Sequence, residues 1–327
     1  MIKFFILIFL IEFYISLRYA KNEVSKIIEK HLHKPHHEVF KIWKQIYKRP
    51  YSLHSNEGLK KFSTFSNNLM KIKEHNLDNT NTYKLELNQF ADLTHEEVKM
   101  YHKGRLQIEI PELKDFIDEE ELNWEPIDWR PIMTPVRDQG NCNSWWAFSV
   151  TGMLEALYWI KNKNNKNIKN VKNEWLSPQQ AIDCQTKMSG CDGGYFPGDI
   201  DLILNYYKVR NAMRDNDYNF TQKTGYMCYY DESKIKHLGI SNVKKATNST
   251  QIYELLKKGP VLTAVGQNSK FLSYTGGIFD GKDCESTRYN MGALLVGYGE
   301  ENGESYWIIR LSRGNKWGEN GYQVELK

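Results

Sequence analysis

Apolar residues recur at helical spacing in two stretches of the chain and in short glycine-bounded runs in a third, and these patterns divide it. In "EGLKKFSTFSNNLMKIKEHN" (57–76), Glu57, Lys61, Phe65, Asn68, Ile72 and Asn76 follow one another at steps of 4, 4, 3, 4 and 4, one face of a helix. Phe65, Leu69 and Ile72 make a neighbouring apolar stripe, and Glu57 precedes Lys61 in the favourable i,i+4 order for an ion pair. "WWAFSVTGMLEALYWIK" carries Trp146, Val150, Met153, Leu154, Leu157 and Tyr158 on one helical face with small residues between, which predicts a central buried helix. After about Tyr230 the pattern changes to "GPVLTAVG", "MGALLVGYG", "SYWIIRLS" and "GYQVEL", four predicted strands. Helices followed by strands in the last two-thirds of the chain predict an α+β fold.

The connecting segments carry other signals. "KDFIDEEELNW" is acidic and without periodicity, as an exposed junction would be. "KNKNNKNIKNVKNEW" (161–175) reads as a solvated linker rather than a binding patch. The start, "MIKFFILIFLIEFYISLRYA", has a basic n-region at Lys3, an apolar run from Phe4 to about Leu17 and a small residue at Ala20, the form of a secretory signal. Glu12 interrupts the run, which argues against a membrane anchor, and Arg18 leaves the cut site open.

Composition narrows the function classes. With 44 Lys and Arg against 40 Asp and Glu, the net charge of +4 is small for 327 residues, so no nucleic-acid footprint is present. Five cysteines in a chain bound for an oxidising compartment imply two disulfides and one leftover thiol. "NFT" at Asn219 and "NST" at Asn248 are glycosylation sequons, which places both on the surface if they are used. Eight of the nine histidines lie before residue 121, and His237 alone follows, read as a partly exposed histidine entering a strand. The cluster "HLHKPHH" (31–37) lacks the HExxH form, so neither a metal nor another cofactor is expected.

The helical stretch at 57–76 resembles ExxxRxxxFxxNxxxIxxxN, the prosegment motif of papain-like cysteine proteases, with Lys61 for the arginine. "ELNQFAD" (86–92) resembles the second prosegment motif, GxNxFxD, with Glu86 for the glycine. From "EPIDWRPIMTPVRDQG" to the C-terminus the chain is similar to the same family, and "YWIIR" and "LGISN" are similar to mite group 1 allergens within it. The resemblance implies a signal peptide at 1–20, an inhibitory propeptide at 21–120 and a papain-like two-domain fold at 121–327. Its helical part would span about 135–230 and its antiparallel sheet part about 231–327. It also implies the pairings Cys142–Cys191 and Cys184–Cys228, each closing a loop of about 45 to 50 residues and worth roughly 4 kcal/mol. Cys284 matches a family cysteine and is left as the free thiol.

The chemistry of that family needs a thiolate at a helix N-terminus, an imidazole beside it, a group that orients the imidazole and donors for the oxyanion. The signature around the nucleophile is CG[SA]C[WY]. Here it reads Cys142, Asn143, Ser144, Trp145, Trp146, so the resemblance places Trp145 at the nucleophile. The histidine strand HAxxxVGYG becomes "MGALLVGYG", with Met291 at the base. NSWGxxWGxxGY becomes "LSRGNKWGENGY", with Leu311 at the orienting asparagine and Arg313 at its covering tryptophan. Gln139, the side-chain oxyanion donor, is kept. Neither an indole nor a thioether can replace a thiolate and imidazole in acyl transfer. Ser144, next to the vacant position, has no visible base.

"GCDGGYFP" keeps Gly193 and Gly194, where the family presents backbone to an extended peptide, with Tyr195 near the specificity pocket. A tight disulfide-flanked turn explains the same glycines, and both readings stand. The resemblance therefore implies a secreted pseudoprotease, in the extracellular space or a gut or lysosome-like compartment, acting on host or self proteins or peptides by binding or interference. Its own prosegment would occupy the cleft, and no membrane would hold it after signal cleavage. Two other readings are an active or residual cysteine peptidase and an inhibitor of related proteases acting through the propeptide.

Overall fold

The computed structural model describes residues 24–94, 96–97, 124–165, 174–194, 198–241, 243–266, 269–282 and 291–327. In chain order its principal helices are α1 (His36–Ile46), α2 (Asn56–Leu77), α3 (Trp145–Asn162), α4 (Pro178–Cys184), α5 (Gly198–Arg210) and α6 (Ser249–Leu256). The strands are β1 (Tyr83–Leu85), β2 (Ile127–Asp128), β3 (Ala212–Met213), β4 (Ile235–Lys236), β5 (Val261–Val265), β6 (Tyr274–Phe279), β7 (Met291–Glu301), β8 (Glu304–Arg310) and β9 (Tyr322–Leu326). The chain forms two compact units, the first running to Glu97 and including Ser269–Gly277, the second holding the rest. The predicted signal peptide lies outside the described residues, as do Tyr195 and Cys284.

In the first unit, Ser55 starts α2 by accepting a hydrogen bond from Gly58 N, and Glu57 sits in the first turn where the helix dipole favours an anion. The apolar stripe packs as expected: Phe65 meets Phe40 and Trp43 of α1 at ring distances of 5.0 and 5.2 Å. The polar positions of the same helix hold the returning chain. Asn68 donates to the carbonyls of Ala91 and Leu93, and Asn76 both donates to Leu85 O and accepts from Leu85 N, at 2.7 and 3.0 Å. Lys61 corrects the expectation of a pair with Glu57: its Nζ lies 2.7 Å from Glu97 Oε1, because the chain folds back along the helix and offers a carboxylate there. β1 then runs antiparallel to Tyr274–Gly277, and buried Asn88 donates to Leu272 O at 2.6 Å.

The second unit is built on β7, whose residues Met291 to Gly299 are all buried. Such a strand is covered on both faces and reads as a continuous apolar run. β8 pairs antiparallel along one edge of β7, β5 and β2 pair along the other, and β9 lies beyond β8 with the end of β6 parallel to it. The segment before residue 135 thus contributes a strand to the sheet. α3 is buried nearly all round from Trp145 to Gly152, but its expected face is incomplete. Leu157 is exposed and Met153 and Tyr158 are half-buried, because the last turns run past the core. The disulfides Cys142–Cys191 and Cys184–Cys228 are both present.

Candidate active site

α3 begins where the Cys142–Cys191 bridge ends, and this positions the site. Asn143 N donates to Cys191 O, Ser144 caps the helix through backbone without a side-chain bond, and Trp145 is the first helical residue. The Ser144 hydroxyl is fully buried and lies 3.3 Å from Cys142 O. Trp145 has no exposed surface, and its ring lies against the backbone of Gly292 on β7. A Cβ at residue 292 would stand 2.2 Å from Trp145 Cε3, nearer than any atom can approach without displacement. The indole N–H is buried with no hydrogen-bond partner among the described residues.

Met291, preceding that glycine, is also wholly buried, and its Sδ lies 3.7 Å from Arg313 Nη2. Leu311 is buried, with its N–H bonded to Gly321 O. Burial pushes the Arg313 guanidinium down to about 9, partly offset by the nearby Asp138 carboxylate, and its cation sits 5.8 Å from the Trp317 ring centre. The residues at these positions are therefore a cation and a thioether in contact, a buried leucine and a buried indole. None of the four accepts a proton from a nucleophile at neutral pH.

Gln139 is buried beside them, but its amide is committed. Nε2 donates to Cys142 O at 3.1 Å, Oε1 accepts from the Ser312 hydroxyl, and its backbone N–H goes to Ser312 O. Gly193 has φ +117°, and a Cβ on Gly194 would press within 2.9 Å of the Trp146 ring. Both glycines thus have a structural reason in this chain. His237 is exposed and follows β4 instead of entering it, and among the described residues no cluster of three metal-ligating side chains occurs.

Sequence reasoning missed Gly292 and a buried ion network behind the site. Glu155 on α3 accepts from Arg137 Nη2 at 3.1 Å, from Thr134 Oγ1 at 2.5 Å and from Leu176 N at 2.8 Å, while Arg137 Nη1 reaches Asp215. One signal was available: a glutamate in the middle of an otherwise apolar helix must find a buried partner.

This arrangement of a helix N-terminus, a disulfide-anchored turn and a central sheet strand is that of a papain-like peptidase fold. The chain belongs to the papain family: residues 124–326 match the papain family cysteine proteases, and residues 40–98 match the cathepsin propeptide inhibitor domain. It is 34% identical over 297 residues to a cathepsin L-like proteinase of Phaedon cochleariae, covering 87% of each protein. A solved digestive procathepsin L 3 of Tenebrio molitor larval midgut superposes with a TM-score of 0.74 at 28% identity, over 90% of this chain and 94% of that one. A structure from work on the mite allergens Blo t 1 and Der p 1 gives a TM-score of 0.69 at 22% identity, over 88% and 93% of the two chains, a likeness of fold. Among the described residues no helix is long and apolar enough to cross a membrane.

Proposed function

We propose that this protein is a secreted pseudoprotease that keeps its prosegment and acts by binding, without peptide hydrolysis. The observation that carries the reading is the Trp145 indole, buried at the N-terminus of α3 against Gly292, where the family holds its nucleophile. Met291 and Leu311 at the base and orienting positions remove the remaining chemistry. Loss of a nucleophile or its base alone costs about a millionfold in a studied triad enzyme, and the rest of a site recovers only about a thousandfold over water. Extended peptides would then meet a filled centre between Gln139 and the Gly193–Gly194 turn, and the prosegment would lie in the same cleft. The signal-like start, two disulfides and exposed Asn219 and Asn248 support an extracellular, glycosylated protein.

Without self-cleavage, the boundary near residue 121 stays intact. The protein secreted from a heterologous host is tested by acidification, which triggers self-processing in a competent zymogen, and by reading its N-terminus and mass before and after. The mass is expected to stay constant; a new N-terminus near 121 in the absence of another protease contradicts the reading.

The match of residues 40–98 to an inhibitor domain favours a second reading, in which the chain restrains active relatives through its prosegment. Nanomolar inhibition of an active cathepsin L-like enzyme by the whole chain would single it out.

A further inference from the structure

The loop from Asn219 to Tyr229 is pinned to α4 along its length. Gln179 Oε1 accepts from Thr221 N at 2.9 Å, and Gln179 Nε2 donates to Lys223 O at 2.8 Å. Asp183, one turn on, accepts from Gly225 N at 2.6 Å and from the Tyr218 hydroxyl at 2.8 Å. Cys228 is bridged to Cys184, and Tyr229 N donates to the same Tyr218 hydroxyl at 3.1 Å. A Cβ on Gly225 would stand 2.8 Å from Asp183 Oδ2, so a glycine is needed for the loop to close on the helix. Yet this tightly held loop shows its apolar side chains to solvent: Tyr226 is wholly exposed, and Met227 and Tyr229 are 60% and 63% exposed. Ordered, exposed tyrosine and methionine are the composition of a contact surface.

The sequon lies at the other end of the same loop. Tyr218 is buried and Phe220 packs edge-on against Phe148 at 4.8 Å, whereas Asn219 between them is exposed and its amide makes no hydrogen bond among the described residues. The Tyr218 side chain joins the two ends: Asn219 is its neighbour in the chain, and its ring lies 6.2 Å from that of Tyr229. Asn248, in the second sequon, has a different place, capping α6 by accepting from Gln251 N at 2.9 Å.

We propose that an N-linked glycan on Asn219 covers this loop, its core sugars lying against Tyr229 and Tyr226. A sugar ring is apolar on one face and polar at its rim, and a tyrosine is an apolar ring with a polar tip, so each covers the other without stranding a hydroxyl. Attachment at Asn219 raises the effective concentration of the sugar at the loop without any further contact. This contact rests on the secreted reading above, since the sequon is an acceptor only in a secreted chain.

The test uses the full chain secreted from a glycosylating host, compared with the same protein stripped by an N-glycosidase and with Asn219→Gln, which removes no hydrogen bond of the described residues. Each is treated with chymotrypsin, reduced, and read by mass for cleavage after Tyr226 and Tyr229. The expected result is a glycan at Asn219 and cleavage about tenfold faster, or more, in both forms that lack it. Trimming the mannose branches, which leaves the core sugars, should keep the protection; its loss would assign the shielding to bulk and overturn the contact. Equal cleavage with and without the glycan, or a protein glycosylated at Asn248 and bare at Asn219, overturns the proposal and leaves the secreted reading standing. Carbohydrate at neither position overturns both.

Discussion

The ring of Trp145 and the backbone of Gly292 fit together so closely that a methyl group on residue 292 would stand 2.2 Å from Trp145 Cε3. The resemblance to the family pattern puts alanine at residue 292, so the large residue on α3 and the missing methyl on β7 are sterically complementary. Gly292→Ala is expected to destabilise the second unit by about 2 to 4 kcal/mol through overpacking. The cost should fall below about 1 kcal/mol when Trp145→Gly is also present. Denaturant midpoints of the four proteins of this cycle give the coupling, and additive effects would show that the two residues do not share a space.

On the proposed reading, restoring a thiol alone is expected not to restore an enzyme. In Trp145→Cys the N-terminus of α3 would favour the thiolate, but with Met291 and Leu311 at the base and orienting positions no imidazole would be there to protonate the leaving amine. Turnover of a fluorogenic dipeptide by the prosegment-trimmed variant should stay at background. The combination Trp145→Cys, Met291→His, Leu311→Asn and Gly292→Ala should raise it above that level, and activity in the single variant would show another base.

The helix of the prosegment makes its own prediction. Asn76 bonds both backbone groups of Leu85, so Asn76→Ala leaves one carbonyl and one N–H without their partner, at about 1 to 2 kcal/mol. Hydrogen exchange at the Leu85 amide should accelerate accordingly, with little change in the second unit. Unchanged exchange would mean that strand pairing with Tyr274–Gly277 suffices to hold β1.

Much of this was legible in the sequence. The steps of four and three from Glu57 to Asn76 gave the helix because an amphipathic period survives any context, and the glycine-bounded runs gave β5, β7, β8 and β9. The two-residue β2 and the irregular β1 carry no period of their own, since each exists only as the partner of a longer strand. Trp145, Met291 and Leu311 were visible by position. The fit of Trp145 to Gly292 and the pairing of Lys61 with Glu97 depend on chain reversals that local spacing does not encode.

Glu325 on β9 gives a pH dependence. Burial raises its carboxyl to about 7, and Oε2 has no hydrogen-bond partner among the described residues. An unfolded glutamate titrates near 4.3, so between that value and about 7 the folded state holds the extra proton. Stability is therefore greater below pH 4.3 as far as this group is concerned, and is lost as pH rises through 7. Glu325→Gln should stabilise the protein by about 1 to 3 kcal/mol at pH 8 and leave it nearly unchanged at pH 4. Equal effects at both pH values would place the carboxylate in water.

The most direct measurement takes the protein with its prosegment trimmed by an added protease and follows a fluorogenic dipeptide with and without a peptide-epoxide that alkylates papain-type thiolates, reading the intact mass in parallel. No turnover and no epoxide adduct in the cleft are expected. Steady turnover that the epoxide abolishes, with one adduct per molecule, would contradict the pseudoprotease reading and return the chain to the active peptidases of its family.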